Sequence, residues 1–457
     1  MLAPARVAAY RTLQLVETMD LSHALAEARD VLPQARDRAL ATELVLGTLR
    51  WRGALDHQIQ RVSGRTLHRL DDPVLRVLRL SAYQLLYLTK VPSSAIVNDA
   101  VEIIKTRARL KSAAPFVNAV LRRLTRERES LTWPQPPRVL ETPKDRSDLV
   151  EYLSVVHSHP AWLVDRWLDR YGVNATEHWL RFNNETPTLT LATNRLMGSR
   201  EELAGRLERE GIRSAPTGVA PHGVRVLDGH PLSSEAFRDG ACLVQDEASQ
   251  LIPELVAARE GARVLDLCAA PGGKTVALAA QVGPAGLIIA SDVRSHRMAI
   301  LAATLERCRV HRSALVHIAP TGALPFRAEA FDAVLVDAPC SGLGTVRRDP
   351  DIKWKRAPDD LAGYARAQGD LLRSVAPAVA TGGRLVYSTC SSEPEEDENV
   401  VGAFLDGHRE FTLLPIGSLH VLPSAIRALA TPEGCMRTLP PRDGLEAFFG
   451  AVLQRAF

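Results

Sequence analysis

Residues 264–275 read VLDLCAAPGGKT, and the last three, Gly273-Lys274-Thr275, are how a phosphate-binding P-loop ends. A P-loop needs G-x-x-x-x-G-K-[ST], because its first glycine lets the backbone wrap the phosphates. Counting back from Gly273 puts Cys268 where that glycine belongs. A nucleoside triphosphate is therefore not the expected ligand. The stretch reads instead as a strand, RVLDL, then a small turn through Ala269, Ala270, Pro271, Gly272 and Gly273, then a helix starting near Lys274. Glycines admit a ligand close to the backbone, and the first turn of a helix offers free N–H groups. About 20 residues on, LIIASD ends in Asp292, a position from which a carboxylate accepts hydrogen bonds from ribose hydroxyls. The pattern suits NAD or S-adenosylmethionine, and the lack of a full G-x-G-x-x-G favours the latter.

The rest of the C-terminal half supports a nucleotide-binding sheet. From about residue 240, apolar runs recur as ARVLDL, GLIIAS, ALVHI, FDAVLVDA, GRLVYST and AFFGAVL, most of them separated by helical stretches. Continuous Val/Ile/Leu runs alternating with helices predict a parallel α/β sheet. Two of these strands lead into chemistry. FDAVLVD runs into DAPCSGLGTVRRDPDIKW, and GRLVYS into TCSSEPEEDENV. Cys340 and Cys390 each fall just past a strand's C-terminal end, where open α/β sheets bind ligands, and Asp337 shares that rim. Arg347, Arg348, Lys353 and Trp354 follow the Cys340 loop and could hold phosphates and stack a base.

The N-terminal part is of another kind. Residues 1–130 read as helical; DDPVLRVLRLSAYQLLYL sets Val74, Val77, Leu78, Ser81, Leu85 and Leu88 on one face, with Arg76 and Arg79 turned away. Asp72 before Pro73 predicts the helix start. This part holds 21 Lys+Arg against 13 Asp+Glu, a charge of +8, and the remainder sums to −5. Eighteen of those cations are Arg, which suits nucleic acid, although a solvated helical surface would look the same. Residues 131–148, with Pro134, Pro136, Pro137 and Pro143, predict an extended linker. Residues 149–239 predict a small α/β connecting domain, and 240–457 the nucleotide-binding domain. No apolar run is long enough for a membrane span, and the N-terminus lacks a secretory h-region, so the expected compartment is the cytoplasm. None of the six cysteines forms a CxxC pair, so no metal is expected. Cys242, Cys308 and Cys435 read as small buried hydrophobes. The chain is expected to be a monomer.

The motifs LDLCAAPGGKT, LVDAPCSGLGTVRRDPDIKW, LVYSTCSSEPEE and VQDEASQL resemble those of the Sun-type RNA cytosine-C5 methyltransferases. LVLGTLRWRGALD, LRLSAYQLLYL, AIVNDAV and FVNAVLRRL resemble the NusB-like RNA-binding domain fused in the RsmB-type 16S rRNA subgroup. The resemblance covers essentially the whole chain. It implies an all-α NusB-like domain joined to a class I (Rossmann-like) methyltransferase domain. It also implies S-adenosylmethionine held by residues 268–274 and Asp292, small-subunit rRNA as partner, Cys390 as nucleophile, Cys340 assisting product release, and Asp337 contacting cofactor or base. The same chemistry on tRNA, or a silent RNA-binding factor, are the alternatives. Two departures stand out. Pro320 occupies the place of the family's usual adenine-contacting Asp, and the C-terminal pattern is altered to DGLEAFF, which reads as a structural change.

Overall fold

The computed structural model describes residues 2–318 and 324–456, so Pro320 lies outside the described residues. The chain packs as two compact bodies: Met1–Thr186 with Val346–Lys355, and Pro187–Thr345 with Arg356–Phe457.

The first body is helical. Helices Pro4–Leu15, Ala35–Arg50, Arg52–Ser63, Asp72–Tyr87, Ser93–Thr106 and Ala114–Arg126 enclose one apolar core. Val74, Val77, Leu78, Ser81 and Leu85 are buried on the expected face of helix Asp72–Tyr87. Asp72 is already helical and Asp71 is its N-cap, one residue before the expected position. Arg79 reaches Asp56 at 2.6 and 2.7 Å. Arg76 does not turn away: it is buried, lies 5.5 Å over the Tyr10 ring and donates to Glu17 at 2.6 Å. A long stem can pack while a paired head group stays satisfied.

Residues 131–142 carry no helix or strand. The extended stretch then ends sooner than its proline content suggests, because Thr142 and Asp145 form a capping box that starts helix Pro143–Val156. Pro143 sits in the first turn, where a missing N–H costs nothing. Helix Ala161–Asn184 follows, with a break at Gly172, and its Trp167 and Trp179 stack at 4.3 Å, fully buried.

The second body holds two sheets. Strands β1 (Thr190–Thr193), β2 (Arg213–Pro216), β3 (Gly223–Asp228) and β4 (Cys242–Val244) form an antiparallel sheet of order β2-β3-β1-β4. The larger sheet comprises β5 (Arg263–Asp266), β6 (Leu287–Asp292), β7 (Ser313–His317), β8 (Phe331–Asp337), β9 (Val379–Thr389), β10 (Phe411–Leu413), β11 (Met436–Arg437) and β12 (Phe449–Arg455). Its order is β10-β12-β9-β8-β5-β6-β7, with β11 on β12. Strands β5 to β9 are parallel. The run AFFGAVL, expected to be parallel, forms β12, which enters antiparallel between β9 and β10. A strand flanked on both sides and covered on both faces reads as a continuous apolar run whichever way it points. From β5 the chain moves outward to β6 and β7, then returns to β8 on the other side. That reversal opens a crevice beyond the C-terminal ends of β5 and β8.

Candidate active site

The site is built on four strand ends. Asp266 closes β5, fully buried; the Thr275 hydroxyl donates to its Oδ2 at 2.7 Å, while Oδ1 has no hydrogen-bond partner. Burial pushes this carboxyl up to about 7. The chain then turns through residues 268–271 into Gly272, which caps helix Gly273–Val282 at φ +109°. The positive φ favours glycine here, and a β-carbon would also crowd Leu301 Cδ1 at 3.0 Å.

The crevice is a cavity of about 290 Å³ lined by Gln245, Asp266, Cys268, Ala269, Ala270, Pro271, Gly273, Lys274 and Asp337, among others. Gly272 and Asp292 are not among the lining residues. Asp292 ends β6, buried, with the Arg294 N–H on Oδ1 at 3.1 Å. Its Oδ2 has no hydrogen bond; the Arg297 guanidinium stands 3.5 Å away, an ion-pair distance too long for one. Burial drives the Cys268 thiol upward, with nearby Asp337 and Asp266 adding to it, so this sulfur stays protonated.

Lys274, on the first turn of the helix, donates to Asp337 Oδ2 at 2.7 Å. Burial works against its charge, but Asp337 and then Cys390 outweigh it and the ammonium titrates higher than usual. The Ser388 hydroxyl donates to Asp337 Oδ1 at 2.8 Å, so the carboxylate that ends β8 is held from both sides.

Cys340 and Cys390 lie just past the adjacent strands β8 and β9, with their sulfurs 3.2 Å apart. The Cys340 thiol is pushed well above its ordinary value, first by its hydrogen bond with Cys390 and then by burial. The two loops also meet through their backbones. The Gly344 N–H donates to the Cys390 carbonyl at 3.0 Å, and the Gly344 carbonyl accepts from Ala447 N–H at 3.0 Å. A β-carbon at Gly344 would stand 2.0 Å from the Ala447 carbonyl oxygen, so only glycine fits. Cys242, Cys308 and Cys435 are buried, and burial pushes Cys242 and Cys435 up to about 12.

Arg347, Arg348, Lys353 and Trp354 belong to the helical body. Lys353 is fully buried, and its ammonium donates to the Arg50 carbonyl at 3.0 Å. The Trp354 indole N–H donates to the Leu49 carbonyl at 2.7 Å. Arg347 is buried and stacks 3.9 Å over the Phe182 ring. For these three the open, nucleic-acid-facing arrangement suggested by the sequence is replaced by internal contacts. The segment's charges are taken up because it closes the carbonyl end of helix Ala35–Arg50, whose last C=O groups need donors. Arg348 remains half-buried.

Several residues of the site escape a reading of the sequence. The Thr275–Asp266 hydrogen bond, 2.7 Å, has no signal in the sequence. Ser388 stands two residues before Cys390, and the period-2 rule for strands was the available signal that both share a face. Glu393, Glu396 and Asp397 look like a solvated acidic run yet are fully buried.

Comparison with known proteins agrees with this geometry. Residues 253–454 match the family described as 16S rRNA methyltransferase RsmB/F, residues 3–126 the NusB family, and residues 159–233 the ferredoxin-like domain of RsmF/B-like methyltransferases. A Bacillus subtilis (strain 168) protein named "Probable ribosomal RNA small subunit methyltransferase B" is 36% identical over 91% of this chain and 90% of its own. A Serratia proteamaculans (strain 568) protein named ribosomal RNA small subunit methyltransferase B is 33% identical over 84% of this chain and 85% of its own. The crystal structure of a protein named PH0851 superposes with a TM-score of 0.82 at 27% identity, covering 100% of this chain and 99% of that one. Likeness of this length and degree is kinship, and the chain belongs to the RsmB/F family of 16S rRNA methyltransferases.

Proposed function

We propose that this enzyme methylates carbon 5 of a cytosine in small-subunit rRNA through a covalent bond between Cys390 and the base. The cofactor is S-adenosylmethionine. The crevice fits it: a glycine turn and a helix N-terminus border the cavity, and Asp266, which lines it, keeps a buried carboxylate oxygen without a hydrogen-bond partner. Residues 268–274 and Asp292 are the groups we assign to hold it. When bound, it supplies an electrophilic methyl group.

The observation that carries the reading is the pair of thiols, 3.2 Å apart beside Asp337. Carbon 5 of cytosine is too weak a nucleophile to take a methyl group unaided. A thiolate adding at carbon 6 makes it electron-rich, and sulfur is intrinsically suited to that addition. Asp337, fixed by Lys274 and Ser388, is suited to carry a proton to the ring edge, where a ring nitrogen takes it as the electrons of the adding thiolate enter the ring. After transfer a base takes the carbon-5 proton, the C–H electrons restore the ring double bond, and the Cys390 sulfur leaves carbon 6 with its bonding pair. Cys340, held as a thiol, donates a hydrogen bond to that departing sulfur. The target base must first leave its stack.

RNA affinity we assign to the helical body. Helix Ala114–Arg126 exposes Arg122 and Arg126, and exposed Arg65 lies 4.5 Å over its Phe116. An rRNA substrate also makes the cytoplasm the working compartment.

The test uses Cys390→Ala and Cys340→Ala with labelled substrate RNA on a denaturing gel. Cys390→Ala is expected to give neither methylation nor adduct. Cys340→Ala is expected to transfer the methyl and stall as a slow-migrating complex. The opposite pattern would exchange the roles, and adduct from neither variant would remove the release role of Cys340.

A further inference from the structure

A fully buried carboxylate is tolerated only when donors surround it. Glu396 is 0% exposed and meets four. Its Oε1 accepts the Ser341 backbone N–H at 2.7 Å and the Gln368 side-chain amide at 3.1 Å. Its Oε2 accepts the Ser341 hydroxyl at 2.5 Å and the Ser391 hydroxyl at 2.6 Å. Ser341 follows Cys340 and Ser391 follows Cys390. Gln368 extends the hold by donating to the carbonyl of Pro339, the residue before Cys340, at 3.0 Å. One side chain thus grips the residues beside both thiols, from beneath two separate loops.

We infer that Glu396 is a positioning residue: it sets the separation between the Cys340 and Cys390 sulfurs that methyl transfer and release require. The inference rests on the two-thiol reading above. It does not need the carboxylate's charge. The Oε1 side faces two N–H donors, which require an oxygen, whereas the Oε2 side faces two hydroxyls, which can reverse and accept. A glutamine with its oxygen at Oε1 and its amide at Oε2 keeps a hydrogen bond to each of the four partners, with the two hydroxyls now accepting. An alanine satisfies none.

The experiment reads the thiol geometry apart from catalysis. The full-length protein is treated with diamide, which takes two hydrogens from a thiol pair in contact and leaves a disulfide. The Cys340–Cys390 cross-link is quantified by mass spectrometry, alongside single-turnover methylation and calorimetric binding of S-adenosylmethionine. Glu396→Ala is expected to slow cross-linking and methylation, the latter by about 100-fold, as for a misplacement of about 1 Å. The cofactor Kd should stay at the wild-type value, which also reports an intact fold. Glu396→Gln should restore both rates. If Glu396→Ala does not fold, Ser341→Ala/Ser391→Ala removes the hydroxyl arms and should slow both rates in the same direction. Cross-linking at the wild-type rate in the folded alanine or serine variants overturns the inference, as does failure of glutamine to restore it. Loss of cross-linking with methylation unchanged would leave the clamp standing and sink the two-thiol reading instead.

Discussion

Two short segments, 346–355 and 391–398, are both crowded with charge, both follow a cysteine, and both are largely buried. They differ in how the charge is met. In the first, Lys353 has one neutral partner, the Arg50 carbonyl, and burial pushes its ammonium well below the ordinary lysine value. In the second, Glu396 meets four donors, and Asp397 takes the Thr389 hydroxyl at 2.5 Å and the Arg437 guanidinium at 2.9 Å. The lesson is that the number of charges in a run says little about exposure. What distinguishes the buried anchor Lys353 from the buried polar scaffold of Glu396 and Asp397 is how many partners meet the charge, and several of those come from distant parts of the chain.

The largest effect should come from breaking the scaffold. Arg437 bridges Asp397 and Glu398 at 2.9 and 2.6 Å. Arg437→Met strands two carboxylates, one of them fully buried, and should lower the stability of the catalytic body by about 3–5 kcal/mol in denaturant unfolding. Lys353→Met keeps the packed stem and leaves the Arg50 carbonyl without its donor, while removing a buried ammonium, so it should cost less, about 1–2 kcal/mol. Equal costs would erase the distinction between the segments.

Of intermediate size is the effect on RNA. If segment 346–355 is an anchor, Lys353→Met should leave the salt dependence of rRNA binding unchanged. Arg122→Ala/Arg126→Ala should weaken binding and reduce the log–log salt slope by about 2, roughly one per lost phosphate contact. The reverse result in filter binding across a salt series would return the RNA role to the anchor.

The smallest effect is with pH. His159 is buried beside the anchor; its Nδ1 lies 2.6 Å from the His157 carbonyl, and the Asn183 amide meets Nε2 at 3.1 Å. Burial, then Lys353, holds its protonation well below the ordinary value of about 6.5. Below that value the unfolded chain binds a proton that the folded one refuses, so protons favour unfolding. The helical body should therefore melt lower at about pH 5 than at about pH 7, and His159→Gln should flatten the difference. A rise in melting temperature on acidification would mean that His159 is charged in the fold.

The six apolar runs of the C-terminal half all became strands of one sheet; burial on both faces explains the central ones, while β7, at the edge and only partly buried, is carried by its apolar run alone. The positions of Cys340 and Cys390 at strand ends were legible for the same reason, and so was the apolar stripe of helix Asp72–Tyr87. The buried side of the site was not. Glu396 and Asp397 depend on Ser341, Gln368 and Arg437, which lie 28 to 55 residues away, so nothing local marks them as interior. Lys353 is interior and the half-buried Trp354 has its indole N–H taken up because their acceptors are the last carbonyls of a helix about 300 positions earlier, groups that have no sequence signature at all.

The antiparallel entry of β12 has a consequence in time. Synthesis runs from the N-terminus, and β9, the strand that delivers Cys390, is complete long before residues 449–455 exist. Until they arrive, one whole flank of β9 is an open edge, β10 has no neighbour on the sheet, and the Gly344 carbonyl lacks the amide of Ala447. The growing chain thus carries Cys390 on an unfinished margin. Residues 447–455 both seal a surface prone to stray pairing and complete the support of the loop on which Cys340 sits, so that support forms well after the strand that precedes Cys390 has been made.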